Sequence, residues 1–134
     1  MSETKKVACI VLILDDAPEK RILLVEKSGS WFLPGGKIEA EEAEIECLRR
    51  ELTEELPYAS CLIDDYFREY MGTTPNTKTP ANVKVWLGTW LRGSIAPANE
   101  ISDSRWVTAA EAASMHVSQI TRDIIYDLQA EGLL

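Results

Sequence analysis

Between Leu33 and Tyr58 the chain reads LPGGKIEAEEAEIECLRRELTEELPY. On a wheel of 3.6 residues per turn, residues 42–56 place Ile45, Leu48, Leu52 and Leu56 on one stripe. Glu51, Glu54 and Glu55 fall on the adjoining sector, at i,i+3 and i,i+4 spacings. Such a helix must lay its stripe on a core, and the rest of the chain must supply that core. Like charges at these spacings destabilise a helix, so the acidic sector calls for a counter-charge. Lysine or arginine can supply one, and hard divalent cations prefer carboxylate oxygen. A solvated acidic face is the plainer reading of the helix taken alone.

The flanks supply strands. KKVACIVLIL is apolar and β-branched, DDAPEK is a turn cluster, and RILLVEK is a second strand, so residues 5–27 read as a hairpin. SGSWFLPGG reads as loop with one short strand, and ASCLIDDYFREYMGT holds a strand of mixed pattern. TPNTKTPAN reads as a loop. VKVWLGTWLRG alternates: Val83, Val85, Leu87 and Leu91 share one face, and Trp86 and Trp90 the other. SRWVT is a short strand, and Thr108–Glu111 is a capping-box start for a short helix. From Ser118 a last helix carries Ile120, Ile124, Ile125 and Leu128, with Gly132 as its C-terminal stop. Without a regular βαβ alternation, the expected class is α+β: a mixed sheet sandwiched between helices, in one domain over residues 1–134.

The net charge of −8 argues against a nucleic-acid polymer or an anionic membrane as partner. It also requires a cation between protein and substrate if the substrate is an anion. Cys9, Cys47 and Cys61 are odd in number and lack CxxC spacing, which points to reduced thiols in a cytoplasmic protein. The N-terminal stretch lacks a cleavable signal pattern, and its apolar run is too short to span a membrane.

Two neighbours favour the metal reading of the acidic helix. The PGGK turn lets backbone approach a ligand, with Lys37 suited to phosphate. Arg50, between the stripe and the acids, is placed to fold back on Glu42 and lock loop to helix. Gly36, Glu42, Arg50, Glu51, Leu52, Glu54 and Glu55 resemble the Nudix box, G-x5-E-x7-R-E-U-x-E-E-x-G-U with U aliphatic, over residues 36–58. The WFLPGG lead-in and the later EISDSRWVTAAEA also resemble that family.

The resemblance implies a Nudix fold and hydrolysis of a nucleoside diphosphate linked to another moiety. It implies Mg²⁺ or Mn²⁺ bound by Glu51, Glu54, Glu55 and the Gly35 carbonyl, with Arg50 and Glu42 supporting them. Gly36, Lys37 and Lys27 would lie on the substrate side. Glu51 or Glu54 is a candidate base. Glu100 in PANEISD is another candidate, because some relatives use a later-loop glutamate, although an ordinary exposed loop acid is the favoured reading of that position. The chain looks most like MutT-type members acting on nucleoside triphosphates, intact or oxidised. ADP-ribose, nucleotide-sugar and dinucleoside polyphosphate cleavage stand as alternatives, and so does a non-catalytic nucleotide-binding module. Homodimer formation is left open.

Two box positions depart from the pattern: Pro57 replaces Gly and Tyr58 an aliphatic residue. Proline lacks an N–H, cannot form the left-handed cap, and disfavours helical geometry at Leu56. The helix is therefore expected to stop about one residue early, with its carboxylates still convergent. Trp31, Tyr66, Tyr70, Trp86 and Trp90 are each read either as a stacking surface for a base or as packing. Trp106 reads as core, His116 as a surface linker, and Pro75 as loop chemistry.

Overall fold

The computed structural model describes residues 4–75, 78–96 and 98–134. Asn76 and Thr77, in the segment expected as a loop, and Pro97, in the segment carrying Glu100, lie outside them. The elements are β1 (Lys5–Leu14), β2 (Arg21–Lys27), β3 (Ser30–Phe32), β4 (Gly35–Lys37), α1 (Glu44–Glu55), β5 (Ala59–Thr73), β6 (Pro80–Gly93), β7 (Asp103–Val107), α2 (Ala109–Ala113) and α3 (Gln119–Ala130).

The expected hairpin forms: β1 pairs antiparallel with β2 through Ile13–Ile22 and Leu14–Arg21. The sheet runs β3-β2-β1-β6-β5, with β4 added to β1 and β7 to β2. The β1–β6 pairing is parallel, from Lys5–Ala81 to Leu12–Gly88, whereas β5 runs antiparallel to β6. The sheet is therefore mixed, and β1 is at its centre.

Alternation along β1 builds two cores. Ala8, Ile10 and Leu12 turn to one face, with Cys47, Leu48 and Leu56 of the α1 region. Cys9 and Val11 turn to the other, with Val83, Val85, Ile120, Ile124 and Leu128. Both faces of β1 are covered, which explains its nearly continuous apolar sequence. Helices thus pack on both sides of the sheet, as the sequence predicts.

Several differences have local causes. The helix begins at Glu44, not residue 42, because Glu42 is drawn into ion pairing with Arg50. It ends at Glu55. Leu56 leaves helical geometry at φ −131° and ψ 61°, although its N–H still donates to the Leu52 carbonyl at 2.8 Å. The proline that follows accounts for this exit. Tyr58 is exposed, and its carbonyl accepts the Ser94 N–H at 3.0 Å. The mixed pattern of β5 reflects irregular registers at Ser60/Cys61, Ile63/Asp65 and Tyr66/Arg68. β6 starts at Pro80, so the expected loop is shorter by three residues: Pro80, Ala81 and Asn82.

The aromatic residues mostly pack. Trp86 and Trp90 join the α1-side core; Trp86 meets Tyr66 edge-on at 5.5 Å, and Trp90 meets Trp106 at 5.2 Å. Trp86 Nε1 also donates to Glu44 Oε1 at 2.8 Å. On the opposite face, Tyr70 OH donates to Asp127 Oδ2 at 2.5 Å, tying α3 to β5. The capping box at Thr108 and Glu111 is present, Ser118 caps α3, and Gly132 adopts φ +73° just beyond it. His116 is exposed between α2 and α3. Among the described residues, no helix is long and apolar enough to cross a membrane.

Candidate active site

β4 pairs antiparallel with β1, matching Cys9 to Gly35, Ala8 to Gly36 and Val7 to Lys37. Its glycines have steric causes. Gly35 has φ +147°, and a Cβ there would collide with the Ala8 carbonyl and the Cys9 backbone. A Cβ on Gly36 would overlap the Glu51 carboxylate. The missing side chain at Gly36 is what admits the Glu51 carboxylate, while Gly35 lets β4 lie close to β1.

Glu55 is fully buried. Its Oε1 accepts the Gly35 N–H at 3.1 Å, and its Oε2 lies 2.5 Å from the Lys27 ammonium. Burial pushes this carboxyl upward, while Lys27 and the Gly35 N–H pull it back in part. Lys27 also donates to the Gly35 carbonyl at 2.7 Å. Glu51 is 6% exposed. Its Oε1 accepts from Arg50 Nη1 at 2.9 Å, while its Oε2 is buried with no hydrogen-bond partner among the described residues.

Arg50 acts as the bracket expected of it. Its Nε donates to Glu42 Oε2 at 2.8 Å and its Nη2 to Glu42 Oε1 at 3.1 Å, a fork-to-fork pair. Nη2 also donates to the Lys37 carbonyl at 3.0 Å, so one guanidinium joins α1, β4 and the intervening loop. The Glu39 N–H donates to Glu42 Oε1 at 2.9 Å. Arg50 first, and this backbone N–H second, hold the Glu42 carboxyl down to about 2.

Glu51 and Glu55 come together with Glu100: one carboxylate oxygen from each lies within 4.8 Å of the others. Glu100 arrives on the loop before β7, which is pinned to β2 by the Ser102 N–H donating to the Glu26 carbonyl at 2.9 Å. Its oxygen lies 3.8 Å from the Lys27 ammonium. Glu54 stands apart from this trio, half-exposed, with Oε2 3.5 Å from Arg50 Nη1.

These groups open onto a cavity of about 480 Å³. Gly35, Gly36, Lys27, Lys37, Arg50 and Glu51 line it. So do Phe32 of β3 and Ser118, Ile120, Thr121 and Ile124 of the α3 region. Sequence reasoning did not select the second set. Ser118 and Thr121 read as a helix start, and their hydroxyls are indeed 2.7 Å apart there. Only the docking of α3 on the sheet turns that start toward the cavity.

The donor set suits a hard cation: buried carboxylates, a backbone carbonyl and the unpartnered Glu51 Oε2.

Comparison with known proteins agrees with the fold. The NUDIX domain family profile matches residues 4–128. A NUDIX hydrolase from Nitrosomonas europaea superposes with TM-score 0.78 at 22% identity, over 96% of this chain and 90% of that one. The MutT protein from Methanosarcina mazei Go1 gives 0.79 at 19%, over 98% and 96%. The NUDIX domain of Shewanella oneidensis NrtR, solved with ADP ribose, gives 0.72 at 18%, over 98% and 90%. No curated protein sequence matches the chain significantly.

Proposed function

Since the chain belongs to the Nudix hydrolase family, we propose that it is a divalent-metal-dependent pyrophosphohydrolase. Its substrate would be a nucleoside triphosphate, intact or oxidised, split to the monophosphate and pyrophosphate. One observation carries the reading: the buried, unpartnered Glu51 Oε2 belongs to a carboxylate that clusters with Glu55 and Glu100 at the wall of a cavity of ligand size.

In this reading Glu51, Glu55 and the Gly35 carbonyl would hold Mg²⁺ or Mn²⁺, and Glu54 would have to turn from Arg50 to join them from the same helix. The bound cation supplies charge neutralisation at phosphate and a water of lowered pKa. The chain's own groups do the rest. Arg50 and Glu42 keep α1 and the β4 loop in register, so the carboxylates meet the substrate without reorganising. Lys37 faces phosphate from the cavity wall. Glu100, exposed and within 4.8 Å of the Glu51 and Glu55 oxygens, would take a proton from the attacking water in this reading. In this reading the nucleoside would lie against Phe32, Ile120 and Ile124 of the lining.

A nucleotide panel assayed with Mg²⁺ or Mn²⁺, with products resolved by chromatography, tests this. Monophosphate plus pyrophosphate supports it. Monophosphate plus a sugar phosphate redirects it to ADP-ribose or nucleotide-sugar cleavage. The stance of Glu54 outside the trio favours a second reading, a non-catalytic nucleotide-binding module. Nucleotide binding without turnover across the panel would establish that instead. Full activity in Glu54→Gln would remove Glu54 from the metal set.

A further inference from the structure

Lys27 is built into the site unusually firmly. It ends β2, pairs with Ser30 of β3, and is followed by a two-residue turn. Ser28 and Gly29 in that turn adopt φ 49° and 83°, the left-handed pair that favours a tight hairpin. The stem of Lys27 is therefore fixed, and its side chain is only 19% exposed. From there the ammonium reaches Glu55 Oε2 at 2.5 Å, the Gly35 carbonyl at 2.7 Å and Glu100 Oε1 at 3.8 Å. Two of these three groups are ones assigned above to the cation, and Glu100 belongs to the same carboxylate trio.

We propose that Lys27 is an internal rival of the divalent cation, an ammonium that occupies the oxygens of Glu55 and Gly35 until a metal displaces it. This inference rests on the metal reading of the site. Carboxylates this close repel one another without a positive charge between them. Lys27 supplies that charge and keeps the site assembled. It also sets the site's affinity, because an incoming ion must break its bonds to Glu55 and Gly35. Once displaced, the ammonium remains on the cavity wall, available to a phosphate oxygen. Lys27 is thus a positioning residue that trades partners.

The test compares wild type, Lys27→Met and Lys27→Arg without nucleotide, using Mn²⁺ titration calorimetry and thermal melting in EDTA and in saturating Mn²⁺. Lys27→Met is expected to bind Mn²⁺ about tenfold tighter than wild type, since it has no internal charge to displace. It should also melt below wild type in EDTA, with the gap closing in Mn²⁺. Lys27→Arg, which keeps the charge, should follow wild type in EDTA. A merely structural lysine would lower Mn²⁺ affinity when removed. Equal or weaker Mn²⁺ binding by Lys27→Met, against a wild type that binds, overturns the exchange and spares the metal reading. A wild type that binds no Mn²⁺ overturns both.

Discussion

The carboxylate of Glu51 occupies the space that a side chain on residue 36 would need. Strand β4 and helix α1 are fitted to each other at that point, and the fit explains why glycine follows glycine before the helix. Gly36→Ala should therefore push Glu51 off its position while leaving both cores intact. Metal affinity and turnover are expected to fall by about 10- to 100-fold. Mn²⁺ titration beside circular dichroism checks this: the first should weaken while the helical signal stays.

Glu42 gives a pH dependence of known sign. Arg50 holds its folded-state value near 2, below the ordinary 4.5. A depressed carboxyl contributes stability that is fully present above the unfolded value and is lost as pH falls through the folded one. The melting-temperature gap between wild type and Glu42→Gln should be largest above about pH 4.5 and shrink steadily toward pH 2. A gap that stays constant over that window would show that the Glu42 charge is not what Arg50 holds.

Pro57 is exposed, and Leu56 already sits at φ −131°, outside the helical region. The proline thus fits the native end of α1 without strain. Pro57→Gly should destabilise by about 0.4–1 kcal/mol, chiefly by freeing the unfolded chain. Turnover should change little, because β4 holds Glu51 at Gly36 and Glu55 at the Gly35 N–H. Urea unfolding and a steady-state assay read the two effects separately.

The hydroxyl of Tyr70 donates to Asp127, which also pairs with Arg68 at 3.0 Å. This latch joins β5 to α3, one wall of the cavity. Tyr70→Phe should cost about 1.5–3 kcal/mol, the usual range for a hydrogen bond to a charged group. It should raise KM more than it lowers kcat, since it loosens the wall and leaves the carboxylates alone.

Much of this was legible in the residues. The 3.6-residue repeat placed the α1 stripe against the core, and the distance from Glu42 to Arg50 foretold their pairing. The period-2 pattern of β6 put Val83 and Val85 on one face and Trp86 and Trp90 on the other, as observed. What stayed illegible depends on contacts between remote segments. Glu100 reaches the acids because Ser102 is bound to Glu26, 76 residues away in the chain. Lys27 reads as one cation among several until the hairpin turn fixes where its ammonium points. The α3 side of the cavity exists only after Ile120 and Ile124 dock on the sheet.

The sheet separates two tasks. Helix α1 lies against one face and α3 against the other, and Glu51 of α1 reaches the cavity past Gly36, which carries no side chain. The glycine edge of β4 is thus a window through a partition. In the proposed reading the metal-holding acids stand on one side and the nucleoside on the other, and only the window needs both to agree. Residues 118–124 could then drift, or be redesigned, toward a different cargo without disturbing the α1 side, so long as that window stays open.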